Sequence, residues 1–300
     1  MSAASPDAGR PPARRFQLSF EFFPPKSEVH DPAFGTVVKR LARFAPDFVS
    51  VTYGAAGSSQ ARSISVVRQV AGEGLPTAAH LTCVGASRAS LEQTIDSFRA
   101  IGIERFVALR GDPPGGVGTP YQPHPEGFRD TADLVRCLRG KGATDVSVSA
   151  YPERHPQSPD WDTELAVLRR KADAGASRAV TQFFFDNDLF ERYRDRVRSA
   201  GIDLPVVPGI LPIHRFASVE TFAARCGASV PAEIRKRFAG IGQNLDAHRS
   251  AAAEIAAEQI RDLHKRGVDA FHIYTINGSA LTEAVLGLCG IEAGRARRAA

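Results

Sequence analysis

Residues 147–182 read SVSAYPERHPQSPDWDTELAVLRRKADAGASRAVTQ and contain a complete strand–helix–strand unit. Ser147–Ala150 and Arg178–Gln182 are short, mostly apolar runs of the kind that form buried parallel strands. Between them, Asp162–Ala174 has apolar residues spaced three and four apart, which predicts an amphipathic helix. Because a helical crossover joins parallel strands, the unit indicates an α/β fold.

The same alternation fills most of the chain on both sides of this unit. The other predicted strands are Gln17–Phe23, Phe48–Val51, Thr77–Leu81, Arg105–Ala108, Val206–Ile210 and Ala270–Tyr274. The other predicted helices are Asp31–Phe44, Ser87–Ile101, Thr131–Arg139, Asp186–Ala200, Ser218–Cys226 and Asp246–Lys265. Eight strands that alternate with helices fit a (β/α)8 barrel or a doubly wound sheet, and the count of eight favours the barrel.

We therefore predict a single-domain α/β protein, a (β/α)8 TIM barrel over residues 16–292. A disordered extension at 1–15 precedes it, and a basic tail at 293–300 follows it. The 300 residues are 43% hydrophobic and carry a net charge of +5, which suits small anionic ligands. The basic residues are not clustered with aromatic ones, and no segment is apolar enough to span a bilayer, so we expect neither a nucleic-acid nor a membrane partner. Four widely spaced cysteines predict reduced thiols and a cytoplasmic protein.

Polar residues stand where the predicted strands end. In a barrel of this kind the active site lies at the carboxyl ends of the strands. Seven of the eight predicted strands end in polar or titratable residues close to Gly or Pro, namely Glu21, Thr52, His80, Arg110 with Asp112, Tyr151 with His155, Gln182, and Asn277. The opposite strand ends show no such pattern. We therefore predict a functional site at the carboxyl-terminal mouth of the barrel.

The residues alone leave two interpretations open for the strongest candidates. Glu21 stands between Phe20 and Phe22, and a carboxylate desolvated by aromatic rings should have a raised pKa, although a salt bridge to a neighbouring Arg or Lys is the alternative. Arg110 and Asp112 are two positions apart on a segment expected to be extended, so they should face the same side. There they pair with each other or hold a ligand.

Other residues carry weaker signals. His80 by itself is more often a packed core histidine than a ligand contact, whereas His155 lies between prolines in a loop, which suits a ligand contact. Arg169–Lys171 is a basic run whose helix follows the fifth strand, so it forms a solvated face or reaches a phosphate. No HExxH, GxSxG or GxGxxG motif is present, and no His or Cys cluster has metal-ligand spacing, so no metal is expected. No predicted strand ends in Lys, which disfavours a Schiff-base aldolase.

Nine segments together resemble the methylenetetrahydrofolate reductase family. They are SFEFFPPK (19–26), FVSVTYGA (48–55), HLTC (80–83), ALRGDPP (108–114), AYPE (150–153), KADAGA (171–176), TQFFFD (181–186), PGILP (208–212) and FHIYTIN (271–277). They occur in the family's order between about residues 16 and 290, and the set is specific where any one segment is not. The resemblance is to the bacterial type that consists of the catalytic barrel, so no regulatory domain is expected.

The resemblance implies reduction of 5,10-methylenetetrahydrofolate to 5-methyltetrahydrofolate by NADH or NADPH through bound FAD. It makes Glu21 the acid that protonates the folate and opens its methylene bridge. It makes Asp112 the carboxylate near the flavin and the pterin, Gln182 a folate contact, and Phe222 an aromatic that stacks on nicotinamide or folate. The FAD contacts that it implies are Thr52, His80, Leu109, Arg110, Gly111, Asp112, Tyr151, His155, Arg170 and Lys171. The family also includes homo-oligomers.

The chain departs from the family pattern at five positions. Bacterial members often have Glu where this chain has Gln157, and Glu164 and Val167 replace an Asp and an Asn that touch the cofactor. Ser218 replaces a Gln near the folate, and Gly278 replaces an Arg. Each lost polar contact weakens the binding of FAD, so direct hydride transfer from NADH to the folate without flavin is an alternative. A non-catalytic folate- or flavin-binding paralogue is a further one, disfavoured because Glu21 and Asp112 are both kept.

Overall fold

The computed structural model describes residues 16–25, 27, 31–53, 60–113, 119–242 and 244–294. The predicted extension at 1–15 and residues 295–300 of the predicted tail lie outside these ranges. The helices and strands of the described residues are, in chain order, β1 (Gln17–Phe22), α1 (Asp31–Ala42), β2 (Phe48–Val51), α2 (Gln60–Gly72), β3 (Thr77–Thr82), α3 (Arg88–Arg99), β4 (Arg105–Leu109), α4 (Thr131–Gly140), β5 (Asp145–Ala150), α5 (Trp161–Asp173), β6 (Arg178–Thr181), α6 (Asn187–Ser199), β7 (Val206–Val207), β8 (Gly209–Ile210), α7 (Phe216–Cys226), α8 (Ala232–Phe238), α9 (Leu245–Lys265), β9 (Ala270–Tyr274) and α10 (Ser279–Leu288).

The strands form one parallel sheet that closes into a barrel. The order around the sheet is β7-β6-β5-β4-β3-β2-β1-β9-β8, so the two ends of the sheet are consecutive pieces of chain. The predicted strand Val206–Ile210 is divided at Pro208, which has no N–H to offer a neighbouring strand. Its first half pairs with β6 and its second half with β9, and the Pro208 carbonyl accepts a hydrogen bond from the His272 N–H at 3.0 Å. The predicted (β/α)8 TIM barrel is confirmed, with its seventh strand split.

Side chains alternate between two environments along each strand. Phe20 and Phe22 are fully buried in the layer between the barrel and its helices, where the Phe22 ring meets Phe34 of α1 edge-on at 5.9 Å. The barrel interior has its own, much smaller apolar cluster, formed by Phe48, Ala78 and Val107. The remaining buried side chains at inward positions are largely polar: Ser19, Glu21, Ser50, His80, Ser147 and His272. A core selected for stability alone would be filled with branched apolar residues, so this polar interior indicates a function.

The amino-terminal ends of the strands also carry charge, contrary to the expectation from the sequence. Buried Asp145 at the start of β5 pairs with Arg105 of β4 and with Arg178 of β6, the latter at 2.7 and 2.9 Å. The Arg178 guanidinium also lies 5.1 Å from the centre of the Phe48 ring. These side chains satisfy one another and close the lower end of the barrel. They are therefore part of the fold, whereas the opposite mouth is open.

Three helices, α2, α8 and α10, were not predicted from the sequence. In α2 the buried apolar face is built from β-branched Val66, Val67 and Val70, which by propensity favour strands. The seven residues of α8 make only about two turns, too few for a clear period.

Among the described residues, no helix is both long and apolar enough to cross a bilayer.

Barrel closure depends on the close approach of the chain at Gly209. Its N–H donates to the Thr181 hydroxyl at 2.9 Å, and a Cβ at this position would overlap the Thr181 carbonyl and lie 2.6 Å from the Tyr274 ring. We expect Gly209→Ala to lower the free energy of unfolding by about 1–3 kcal/mol, as overpacked sites do. Urea denaturation followed by circular dichroism measures the change.

Gly287 in α10 provides the matched control, since a Cβ there would meet nothing within 4 Å. Gly287→Ala should raise the stability by roughly 0.5–1 kcal/mol through helix propensity. Equal effects of the two substitutions would show that Gly209 is not constrained by its neighbours.

Candidate active site

A cavity of about 560 Å³ opens at the carboxyl ends of the barrel strands. Its volume lies in the range typical of small-molecule sites. Glu21 from β1 and Asp112 from the loop after β4 both line it. The other predicted site residues in its wall are Thr52, His80, Leu109, Arg110, Gly111, Tyr151, His155, Gln182 and Phe222. Strand ends that are far apart in sequence therefore converge on one space.

Glu21 lies between two histidines inside the barrel. Its carboxylate oxygen is 3.5 Å from Nε2 of His80 on β3 and 3.6 Å from Nε2 of His272 on β9. All three side chains are buried. Nδ1 of His272 is in turn 2.7 Å from the hydroxyl of Ser19, its register partner on β1. The position of the His272 ring is thus set from the strand that carries Glu21.

The pKa of Glu21 is lowered rather than raised, which corrects the expectation from its aromatic neighbours. Burial raises the pKa, but the contact with His272 and the charges of His80 and His272 together outweigh it. The expectation was wrong because Phe20 and Phe22 point to the outer layer, while Glu21 points into the barrel. Imidazoles, not aromatic hydrocarbons, therefore surround the carboxylate.

His80 is neutral at neutral pH and is not a packed core histidine. Burial lowers its pKa from 6.5 to about 4, although the carboxylate of Glu21 opposes this change. Among the described residues, neither its Nε2 nor the hydroxyl of Thr52 finds a hydrogen-bond partner, and both atoms are buried. Buried polar atoms are rarely left unpaired in native proteins. Two such atoms in one cavity wall indicate that a polar ligand completes them.

Arg110 and His155 present two hydrogen-bond donors to each other. Nδ1 of His155 accepts the Gln157 N–H at 3.0 Å, so in the neutral ring the hydrogen is on Nε2. Burial and the charge of Arg110 lower the pKa of His155 to about 4, which keeps the ring neutral. Its Nε2 lies 3.5 Å from the Arg110 Nη2, and neither of these N–H groups can accept a hydrogen bond. A ligand oxygen beside them would accept from both.

Arg110 and Asp112 do not lie on an extended segment, so the argument that they face the same side was wrong. Gly111 has a φ of 82°, which turns the chain between them. Arg110 is directed to His155 and to the ring of Tyr121, whose centre is 5.0 Å from its guanidinium carbon. Both Arg110 and Asp112 nevertheless line the cavity, which favours ligand contact over mutual pairing.

The two cations predicted to bind a diphosphate are engaged elsewhere. Arg170 is half-exposed on α5 and donates to Asp130 at 3.3 Å. Lys171 is buried and donates to the carbonyl of Ser149 at 2.8 Å, and burial lowers its pKa to about 8. Neither side chain is part of the cavity wall. Their contact with a cofactor stays a prediction.

The positions that depart from the family pattern mostly stabilise the loop after β5. Gln157 donates to the carbonyl of Thr119, and buried Glu164 accepts from the His155 N–H at 3.2 Å and from the Ser158 hydroxyl. Val167 is half-buried on α5. These three side chains lie outside the cavity wall. The substitutions therefore change the surroundings of the cavity more than its lining.

The mouth of the cavity is partly apolar. Phe222 of α7 is 48% exposed and stacks on Phe183 with ring centres 5.4 Å apart. Exposed Ser218 lies one helical turn before Phe222 on the same face of α7. Gln182 folds back so that its side-chain oxygen accepts the N–H of Phe183 at 3.0 Å. A planar ligand could therefore find both an aromatic surface and an amide at this edge.

Sequence reasoning did not assign a role to Ser19, His272 or Tyr274. A usable signal exists, because each is a polar residue that alternates with apolar ones inside a short apolar run. Their proximity to Glu21 depends on the pairing of β1 with β9, which no local pattern reveals. Within the described ranges, no group of His, Cys, Asp and Glu residues has the arrangement of a metal site.

A second cavity, of about 460 Å³, lies away from the strand ends between α6, α8 and α9. Its charged side chains are largely paired with one another or with neighbouring carboxylates. Arg237 contacts Glu254 and Glu258, and Arg266 contacts Asp188 and Asp262. Of the described side chains that line this cavity, only Asn187 has a buried polar atom without a hydrogen-bond partner, its side-chain oxygen.

The lowered pKa of His80 makes stability depend on pH. The unfolded chain binds a proton near pH 6.5, whereas folded His80 binds one only near pH 4, so stability falls as the pH drops through this window. Between pH 6.5 and 5 the loss from His80 alone is on the order of 2 kcal/mol. His80→Gln cannot titrate and should shrink the difference between stabilities measured at pH 7 and pH 5.

His155→Gln should also shrink the difference between the stabilities at pH 7 and pH 5, since the pKa of His155 is likewise lowered to about 4. Chemical denaturation at the two pH values measures both variants. If His80→Gln retained the full dependence of the unmodified chain, burial of a neutral His80 would be refuted.

Comparisons with known proteins show the family of the chain. The model of the family described as methylenetetrahydrofolate reductase matches residues 9–290. The 5,10-methylenetetrahydrofolate reductase of Pectobacterium carotovorum subsp. carotovorum is 38% identical over 284 residues, which cover 94% of this chain and 93% of that protein. The enzyme of the same name from Salmonella typhimurium is 38% identical over 281 residues, with 93% of each chain covered.

A solved structure shares the fold at a TM-score of 0.62 and 14% identity, and it covers 92% of this chain and 94% of its own. It is described as an uncharacterized protein from Clostridium thermocellum that binds two copies of 5-methyl-5,6,7,8-tetrahydrofolic acid. Likeness at this identity concerns the fold alone, whereas the family match and the bacterial relatives concern almost the whole sequence. The chain belongs to the methylenetetrahydrofolate reductase family and is an enzyme of that type.

Proposed function

We propose that the chain reduces 5,10-methylenetetrahydrofolate with electrons from NADH or NADPH, that FAD binds in the cavity, and that Glu21 is the proton donor. The observation that carries the proposal is the convergence of Glu21 and Asp112 on one cavity large enough for a small-molecule ligand. Reduction of the methylene group requires that the bridge between two folate nitrogens first be opened, and opening requires a proton at one nitrogen. An acid inside the cavity supplies that need.

Glu21 is a carboxylate in the ligand-free chain, because its pKa is lowered. The proton must therefore reach it when the substrate is present. A pterin that fills the cavity displaces water from around the carboxylate, and loss of water disfavours its charged form. His272, 3.6 Å away and held by Ser19, contacts the Glu21 carboxylate and fixes its position beside the bound substrate.

Asp112 and Gln182 provide the polar contacts expected for a pterin. The pterin ring carries an amino group and ring N–H groups, for which a carboxylate is a suitable acceptor. Gln182 can offer an amide N–H while its oxygen is held by Phe183. Phe222 and Phe183 supply the stacked aromatic surface beside them. The solved protein of similar fold that binds 5-methyl-5,6,7,8-tetrahydrofolic acid is bound to the compound that this reaction would produce.

The residues of the cavity fit FAD. Thr52 and His80 offer buried polar atoms that have no hydrogen-bond partner in the described part of the chain, and Arg110 with His155 offers two donors for one oxygen. A Cβ at Gly111 would lie 2.5 Å from a methyl carbon of Val84, so the loop that carries Arg110 and Asp112 can pack against the end of β3 only with glycine here. When bound, FAD supplies two-electron transfer between the nicotinamide and the folate. The chain's own residues bind and orient the ligands, and Glu21 protonates the folate.

Direct hydride transfer from NADH to the folate is the second candidate. One observation favours it: Arg170 and Lys171, the cations expected at the diphosphate, are paired with Asp130 and Ser149 outside the cavity. A visible absorption spectrum of the purified protein distinguishes the two. Flavin bands that bleach on anaerobic addition of NADH support FAD, and a colourless protein that still forms 5-methyltetrahydrofolate supports direct transfer.

Substitution of Glu21 by Gln tests the proton donor. We expect Glu21→Gln to lower the rate of methylenetetrahydrofolate reduction by at least about 100-fold, since an amide cannot donate the proton. Oxidation of NADH by an artificial acceptor such as menadione should persist, because it needs no folate protonation. Steady-state assays with each acceptor measure the two rates.

The matched control is Glu283→Gln, which removes a carboxylate from an ion pair with Arg40 on the surface. Both rates should remain unchanged in this control. A Glu21→Gln protein with full folate activity would refute the assignment of Glu21.

Substitution of Thr52 by Val tests the cofactor fit without an activity assay. The hydroxyl has no partner among the described residues, so its replacement by a methyl group should leave the stability of the ligand-free chain unchanged or raise it by about 1 kcal/mol. The affinity for FAD should fall about threefold to tenfold, because one net hydrogen bond is lost. Denaturant unfolding and fluorescence titration with FAD give the two values.

Thr36→Val, on the exposed face of α1, is the control and should not alter FAD affinity. Unchanged FAD affinity in Thr52→Val would place the flavin away from β2.

A further inference from the structure

Two exposed apolar side chains stand at the mouth of the cavity. The described residues include four large apolar side chains that are well exposed: Phe222 at 48%, Leu245 at 77%, Ile276 at 43% and Leu288 at 46%. Of these, Phe222 and Ile276 line the cavity, and the other two do not. The function proposed above uses Phe222 and leaves Ile276 without a task. Exposed apolar surface at the edge of a site is characteristic of a contact with ligand.

Ile276 is held in an unfavourable backbone conformation. It follows β9 in the turn formed by residues 275–278, and its φ is 47°, followed by 53° at Asn277. Asn tolerates this left-handed region, but a β-branched residue rarely adopts it. The other described non-glycine residues with positive φ are Ala45 and Arg154, neither of them β-branched. A glycine at 276 would relieve the strain, so the isoleucine side chain is kept at a cost in stability.

Hydrogen bonds on both sides prevent the turn from relaxing. The fully buried Thr275 donates its hydroxyl hydrogen to the Glu21 carbonyl at 2.6 Å. The Asn277 amide oxygen accepts the Phe23 N–H at 3.0 Å, and its nitrogen donates to the Phe23 carbonyl at 2.8 Å. The turn is thus tied to the end of β1, the strand that carries Glu21. Strain that the surroundings maintain in this way is characteristic of functional sites.

Gly278, two positions after Ile276, cannot carry a side chain that reaches the cavity. A Cβ at Gly278 would overlap the imidazole of His214, whose Nε2 lies 3.1 Å from the Thr275 carbonyl. His214 therefore occupies the space into which an arginine at 278 would extend. An arginine at 278 is therefore incompatible with the His214 ring in this position. Ile276 is the side chain of this turn that reaches the cavity.

From these contacts we infer that the strained turn holds Ile276 against the aromatic part of the folate, which makes Ile276 a positioning residue for the substrate. The inference rests on the proposed function. The pterin end of the folate is polar and suits Asp112 and Gln182, and its glutamate carboxylates require water. The benzoyl ring between them is apolar and must cross the mouth, where Phe222 and Ile276 are exposed. Covering these side chains removes apolar surface from water and adds affinity.

Two substitutions of Ile276 separate strain from contact. Ile276→Gly removes both, so the melting temperature of the ligand-free chain should rise by about 2 °C. Its Kd for 5-methyltetrahydrofolate should increase roughly tenfold. Ile276→Ala should weaken folate binding to a similar extent, and it should raise the melting temperature less than Ile276→Gly does. In both, the KM for methylenetetrahydrofolate should rise roughly tenfold while kcat changes less than about threefold. Isothermal titration calorimetry and thermal unfolding provide the binding and stability values.

Ala45→Gly is the matched control for strain relief, since Ala45 has a φ of 46° outside the cavity. It should raise the melting temperature and leave folate affinity unchanged. If the unmodified chain binds no folate, the proposed function fails and the inference fails with it. If it binds folate and Ile276→Ala binds within about twofold, or Ile276→Gly melts at a lower temperature, the inference is overturned while the function stands.

Discussion

The alternation of side chains along β1 is the constraint on which the site depends. Phe20 and Phe22 anchor the strand in the outer layer between the barrel and the helices, and this fixes Glu21 on the inside. A shift of one residue would exchange the two faces and place two phenylalanines in the cavity. The apolar core thus determines the direction of a carboxylate that it does not touch. Ser19, two positions earlier on the same inner face, extends that control to the ring of His272.

The two ends of the barrel interior use charge in different ways. At the lower end Asp145 lies between Arg105 and Arg178, so each charge has partners and the end is closed. At the upper end the Thr52 hydroxyl and Nε2 of His80 accept or donate no hydrogen bond among the described residues, and two donors on Arg110 and His155 face each other. Burying unpaired polar atoms destabilises a fold. The mouth therefore retains a cost to stability that a bound ligand would remove, as expected where a site serves binding rather than folding.

Much of the architecture could be predicted from local patterns. Short apolar runs such as Phe48–Val51 are strands because the strands of a parallel barrel are buried on both faces. Residues such as Thr52 and Gln182 could be placed at the mouth because strand ends of a barrel converge. The division of the seventh strand at Pro208 could not be foreseen, since it depends on pairing with β6 and β9. The pKa of Glu21 was predicted with the wrong sign because its neighbours come from β3 and β9, which are distant in sequence.

The protonation state of Glu21, with and without folate, is the most direct test of this account. Difference infrared spectroscopy at pH 7 can follow the carboxyl stretch, with Glu21→Gln identifying the band. The account predicts an ionised Glu21 in the ligand-free protein and a new protonated carboxyl band in the folate complex. A carboxyl band already present without ligand, or none in the complex, would contradict it.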